Sequence, residues 1–191
     1  PSFMFARDLA LTLEDGRSFK TDIGYGGAFY AILDAGQFGL PISSSVTNKL
    51  TQLAEEVCLA VRKAIPLSHP DHDDLAFLYG AILTDGKDAF GDTPTRNICV
   101  FADSQVDRSP TGSGVSARLA IQHGKGLIQT GQSRRFESIV GSGLEGAVPS
   151  QTTCGPRPAV IASVKGLAHY SGKASFWFED NDDVGRGFML R

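Results

Sequence analysis

Only two stretches of this 191-residue chain read as helix, and its other apolar positions fall in short runs of strand length. In the clearer helix Leu50, Leu53, Ala54, Val57, Val61, Ala64 and Ile65 step by three and four. Ser43 to Ser45 offer N-caps and Pro66 stops it, while Cys58 beside the stripe reads as a small core residue. A shorter helix is predicted from about Ser113 to Gln122. Leu9, Leu11 and Leu13 alternate, Asp15-Gly16 marks a turn, and Phe19, Thr21 and Ile23 resume the period of two, which predicts a hairpin. Gly24 to Gly27 then lead into Ala28 to Leu33, whose unbroken apolar run predicts a strand buried on both faces. Further strands are expected at Leu75 to Leu83, Ile98 to Ala102, Val160 to Val164 and Ala174 to Phe178. Strands and helices that do not alternate regularly exclude a doubly wound parallel sheet and predict one α+β domain over 1–191.

A chain of this length can bury a core without disulfide or metal staples. Its 41% hydrophobic and 20% charged residues, with a mean hydropathy of -0.07, predict a soluble globular chain and exclude disordered and fibrous classes. Eighteen Lys and Arg against 21 Asp and Glu give a net charge of -3. That leaves no basic excess for a phosphate backbone, so nucleic acid is not an expected partner. No apolar run approaches the ~20 residues of a membrane span, and Arg7 and Asp8 break the apolar opening that a signal peptide would need. Cys58, Cys99 and Cys154 are odd in number, far apart and never spaced C-x-x-C, which predicts reduced thiols and a cytoplasmic setting. The chain starts at Pro1 and runs at once into strand-like sequence, as an excised piece of a longer protein would.

Chemistry concentrates between Asn97 and Ala120, where an apolar strand enters a polar turn, a Gly-rich corner and then helix-forming residues. This order places the backbone N–H groups of Thr111 to Gly114 at a helix N-terminus, and Gly112 and Gly114 let an anion come close to the main chain. Asp107 can face a cation a few residues away, so the corner suits a zwitterionic amino acid. A plainer alternative has Thr111 or Ser113 as an N-cap, Asp107 paired with Arg108 or Arg118, and the glycines serving only the turn.

Asp107-Arg108-Ser109-Pro110-Thr111-Gly112-Ser113-Gly114 with Ser116-Ala117-Arg118 resembles the D-R-S-P-C-G-T-G-T-S-A-R segment of the proline racemase family. Asp22 to Phe29 resembles that family's D-I-x-Y-G-G-N-F, Ala168 to Gly172 its A-H-Y-T-G, and Gly187 to Arg191 its G-F-x-L-R ending. The family comprises proline racemases, hydroxyproline epimerases and trans-3-hydroxy-L-proline dehydratases, which use no cofactor and no metal. The resemblance implies one lobe of a diaminopimelate epimerase-like fold, a curled, mainly antiparallel sheet around a central helix, here expected to be the helix from about Ser45 to Ile65.

Family members are about twice this size, and their first half carries a catalytic cysteine in an M-C-G-H segment that is not found here. The chain therefore resembles the second lobe, with the first lobe as its missing partner and an exposed face that predicts self-association, as in a homodimer. Racemases and epimerases place a second thiol where Thr111 stands. A thiol titrates near ~8.5, whereas an unaided threonine hydroxyl is no working base, so Thr111 points to the dehydratase branch. By resemblance Thr111 and Asp107 belong to the catalytic set. Gly112, Ser113 and Gly114 would hold the carboxylate of a proline- or hydroxyproline-type substrate, Asp107 its ring ammonium, and Phe101 would line the pocket for the ring. Thr111 would hydrogen-bond the substrate or its leaving group. Without the family, Phe101 reads as the end of an apolar strand.

Racemisation or epimerisation is the alternative within the same family, and a non-catalytic lobe that binds anions or a partner protein is the alternative of another class. His69, Asp71, His72, Asp73 and Asp74 are metal-ligand types but follow a helix end around Pro70 and read as a solvated loop. Glu179 to Asp183 reads as a charged turn, and His169 as a hydrogen-bonded structural histidine in a strand.

Overall fold

A computed structural model describes residues 1–189 as one curled sheet wrapped around a helix, with a second helix on its outer face. The strands are β1 (Phe3–Thr12), β2 (Ser18–Tyr25), β3 (Phe29–Asp34), β4 (Leu78–Thr84), β5 (Thr95–Phe101), β6 (Gln105–Val106), β7 (Ser133–Ser138), β8 (Gly143–Cys154) and β9 (Arg157–Lys165). They run in the order β1-β2-β3-β4-β5-β7-β8-β9, with β6 paired to β5. Pairings are antiparallel except β3 with β4 and β5 with β7. Those two crossovers carry helices α1 (Thr47–Ala64) and α2 (Gly112–Gly124). Ser2 and Val160 exchange two backbone hydrogen bonds of 2.8 Å, so the first and last strands meet and the sheet closes at that edge.

The hairpin and the doubly buried strand stand where their patterns place them. Phe29, Ala31 and Leu33 of β3 pack in the core shared with α1, and Tyr30 and Ile32 pack with Ala117 and Ile121 of α2. Ile98 and Val100 of β5 likewise take the α1 side and Cys99 the α2 side. A strand between two helices must be apolar on both faces, which is why neither run alternates.

The helix enclosed by the sheet is α2 and not the expected Ser45 to Ile65 helix. In α2 Gly114, Val115 and every residue from Ala117 to Gln122 are buried, whereas α1 buries one stripe, Leu50, Leu53, Ala54, Val57, Cys58 and Val61. The polar face that makes α1 conspicuous must stay in water, and a helix surrounded by strands cannot have one. Small residues let the sheet close: a Cβ on Gly24 would meet Ile121 Cδ1 at 2.8 Å, and one on Gly26 would lie 2.1 Å from the Ser113 carbonyl oxygen. The one charged side chain that α2 buries, Arg118, donates to Asp88 Oδ1 and Thr95 Oγ1, each at 2.6 Å, and to Asn97 Oδ1 at 3.1 Å. Its guanidinium also stacks over Phe136.

Ala174 to Phe178 is not a strand: no regular structure follows Lys165 in the described residues, and Phe176 and Trp177 are 91% and 77% exposed. His169 is accordingly exposed on irregular chain. Nothing within the described residues covers that segment, and an apolar run forms a strand only against a partner edge. Strands β7 and β8 carry too many polar residues to have been marked by apolar alternation. Ser43 caps a short 3-10 turn, Ser44–Val46, that leads into α1, whose own N-cap, Val46, has no capping side chain. His69 departs from a solvated loop, since it is buried against Tyr25 and Phe3 and its burial lowers its pKa, while Asp71 to Asp74 are at the surface. Glu179 to Asp183 lies on exposed turns. Of the closing Gly187 to Arg191 motif, Leu190 and Arg191 lie outside the described residues. Among the described residues no helix is long and apolar enough to cross a membrane.

Candidate functional site

The strand-to-helix corner is built by a hairpin. Strand β5 folds back on β6 through Ala102 and Ser104, both at positive φ, and the ladder continues with Asp107 N–H donating to the Cys99 carbonyl at 3.2 Å. Asp107 is thereby anchored beside β5, and both its carboxylate oxygens are engaged. Ser109 N–H donates to Oδ1 at 2.8 Å and the Thr111 hydroxyl donates to Oδ2 at 2.8 Å. The turn is completed by Thr111 N–H donating to Ser109 Oγ at 3.0 Å.

Thr111 is the N-cap of α2, with φ 69° and ψ 108°. Positive φ is costly for a β-branched residue, and the bonds on either side hold it there. Its carbonyl accepts the first helical bond, from Val115 N–H at 2.7 Å. Its hydroxyl, which an N-cap threonine ordinarily turns onto the helix, is spent on Asp107 instead. The N–H groups of Gly112, Ser113 and Gly114 thus have no acceptor among the described residues, at the positive end of the helix dipole. The Ser113 hydroxyl shares a 2.8 Å hydrogen bond with Tyr30. Of the plainer alternative, Thr111 does stand at the N-cap of α2 but its hydroxyl makes no capping bond, and Arg118 pairs with Asp88 rather than Asp107.

The glycines differ in function. Space is open around Gly112, so its approach to a ligand is free, whereas a Cβ on Gly114 would strike Ile82 Cδ1 at 2.5 Å and serves packing. Phe101, half-buried at the end of β5, stacks on Tyr79 with ring centroids 5.4 Å apart, and Tyr79 meets Tyr30 edge-on at 5.7 Å. These three rings form an aromatic wall that ends at Ser113 through the Tyr30 hydroxyl. Tyr30 and Tyr79 are the site residues that sequence reasoning missed. Tyr30 could have been found from the strand phase, since it shares a face with Ile32, but Tyr79 sits at a register shift between β3 and β4 that no periodicity shows.

Burial raises the Tyr30 hydroxyl well above its ordinary range, so it stays protonated. Burial also pushes the Cys99 thiol up to about 12 and the Cys58 thiol to about 11, and raises Cys154. All three cysteines are free and buried, and none is an activated nucleophile. Chemically the corner offers three N–H donors for an anion, a fixed carboxylate for a cation, and a flat apolar wall beside them.

A curled sheet closed on a helix whose N-terminus forms this corner defines one lobe of a racemase-type fold. The chain belongs to the proline racemase family, whose model matches residues 1–189. It is 50% identical over its whole length to the trans-L-3-hydroxyproline dehydratase of Xenopus tropicalis and to the trans-3-hydroxy-L-proline dehydratase of Homo sapiens, covering 55% and 54% of them. The trans-3-hydroxy-L-proline dehydratase of Burkholderia cenocepacia is 39% identical, with 57% of it covered. Among solved structures, a hydroxyproline epimerase from Agrobacterium vitis with bound trans-4-OH-L-proline superposes on all of the chain with a TM-score of 0.88 at 30% identity. The match covers 54% of that protein. The chain spans about half the length of the curated relatives it matches.

Proposed function

We propose that this chain is the second lobe of a cofactor-independent hydro-lyase that removes water from trans-3-hydroxy-L-proline, with the base supplied by a first lobe. The observation that carries this reading is Thr111. Two-base racemisation needs an ionisable group on each face of Cα; in this reading Thr111 stands at one of those positions, and its hydroxyl is hydrogen-bonded to a carboxylate. The cysteine nearest in the fold, Cys99, is buried with its thiol near 12 and cannot substitute. One base suffices for dehydration. It takes the Cα proton, the electron pair of that C–H bond becomes the Cα–C3 double bond, and the C3–O bond breaks as the oxygen picks up a proton and leaves as water. The enamine so formed tautomerises to the cyclic imine.

In this reading the N–H groups of Gly112, Ser113 and Gly114 hold the substrate carboxylate and Asp107 the ring ammonium. Phe101, with Tyr79, lies against the ring. The buried, unpaired cysteines suit a cytoplasmic protein. The test is to assay a protein in which this chain is joined to a first lobe. It should release the imine from trans-3-hydroxy-L-proline and form no D-proline from L-proline, whereas the 191-residue chain alone should be inactive on both. D-proline formation, or imine from the chain alone, would refute the proposal.

A further inference from the structure

We infer that Thr111 is a positioning residue, whose hydroxyl tethers the Asp107 carboxylate so that it faces the ring ammonium of the substrate. The inference rests on the function just proposed. A hydroxyl has one proton, and that of Thr111 is given to Asp107 Oδ2 at 2.8 Å while Ser109 N–H holds Oδ1 at the same distance. With its backbone N–H bound to the Cys99 carbonyl, Asp107 is fixed at three points and cannot rotate. The tether spends the hydroxyl that would otherwise cap α2, holds a β-branched residue at φ 69°, and leaves the helix N–H groups free. One residue thus sets the geometry of both the cation and the anion subsites. The hydroxyl is not needed for the leaving group. In trans-3-hydroxy-L-proline the 3-hydroxyl lies on the same ring face as the Cα hydrogen, so the base that takes that hydrogen is in place to protonate the departing oxygen.

The experiment compares two ligands with a five-membered nitrogen ring and a carboxylate: L-proline, whose saturated ring carries an ammonium, and pyrrole-2-carboxylate, whose planar aromatic ring carries an uncharged N–H. Both are titrated against the two-lobe protein and its Thr111→Val and Thr111→Ser variants. Valine keeps the β-branch and so adds no backbone strain. Thr111→Val should weaken L-proline about tenfold or more, as loss of a hydrogen bond to a charged group does, and leave pyrrole-2-carboxylate within about twofold. Thr111→Ser should restore L-proline, and on trans-3-hydroxy-L-proline the valine variant should raise KM with little change in kcat. Retained pyrrole-2-carboxylate binding shows that the variant is folded. Equal weakening of both ligands, no weakening of either, or failure of serine to rescue would overturn the tether. So would a fall in kcat that disappears with trans-3-chloro-L-proline, whose chloride leaves without a proton, because Thr111 would then be the acid. If the unmutated protein binds both ligands yet dehydrates nothing, the proposed function fails and the tether stands. If it binds neither, both fall.

Discussion

Gly26 sits where the turn after β2 touches the first turn of α2, and replacing it by alanine tests whether that contact holds the corner in place. The added Cβ would stand 2.1 Å from the Ser113 carbonyl oxygen, 2.4 Å from Ala117 N and 2.9 Å from Ser116 Cβ. Ordinary contact begins near 3.4 Å, so the sheet and the helix backbone must part by more than 1 Å, and neither of the two nearest atoms belongs to a side chain that could swing away. Gly26 is not among the positive-φ glycines, so strained dihedrals contribute nothing and the whole cost is steric. Overpacking of this kind costs about 3 kcal/mol or somewhat more, which in a domain of this size lowers Tm by roughly 6–12 °C. Gly112→Ala is the control, since its Cβ would meet nothing within 4 Å; its Tm should stay within about 2 °C. Differential scanning calorimetry of the three proteins gives the comparison. A Gly26→Ala Tm within about 2 °C of the parent would show that α2 does not lie against this turn, and the placement of Gly112 to Gly114 would lose its support.

Asp88→Asn should destabilise the chain by about 2 kcal/mol in urea unfolding, because it removes the anion that faces the buried Arg118 while Asp88 itself is partly in water. Burial raises the Asp88 carboxyl, but the Arg118 charge and the hydrogen bonds from Arg118 and Gln122 outweigh it and hold the group below its ordinary 3.8. A depressed folded pKa means stability that is present above the unfolded value and lost as pH falls through the folded one. The parent should therefore lose stability below about pH 4 more steeply than the asparagine variant, and parallel curves would contradict the pairing. Cys58 and Cys99, at about 11 and 12, should react with iodoacetamide at pH 8 at least ~100-fold more slowly in the folded chain than after denaturation; rapid native modification would refute their burial.

What the sequence reveals follows from what its patterns measure. Alternation marks the first hairpin and unbroken apolarity marks β3, because these report which faces leave water. The corner from Asn97 to Ala120 was legible because strand, glycines and helix formers follow one another locally, and the structure joins Asp107 to Thr111 at the helix end, with Phe101 linked to it through Tyr79 and Tyr30. Amphipathicity misleads about the central helix, since the strongest stripe belongs to the element with one wet face, and α2 shows its burial through Gly114, Ala117 and Ala120 rather than through a stripe. The Thr111 hydroxyl could not be assigned from sequence, for an N-cap threonine and a carboxylate tether look alike until φ and the Asp107 contact are seen. Trp177 and its neighbours show the converse limit: an apolar run reports what must be covered, not what covers it.

The central claim, that the N–H groups at the start of α2 form a carboxylate site, is tested most directly by following backbone amides of the 191-residue chain during titration with pyrrole-2-carboxylate. Gly112, Ser113 and Gly114 should move first and furthest, with an affinity of about millimolar because only one lobe contributes, and uncharged pyrrole-2-carboxamide should move none of them. Shifts confined to His69 to Asp74, or equal shifts with the amide, would contradict an anion site at this corner.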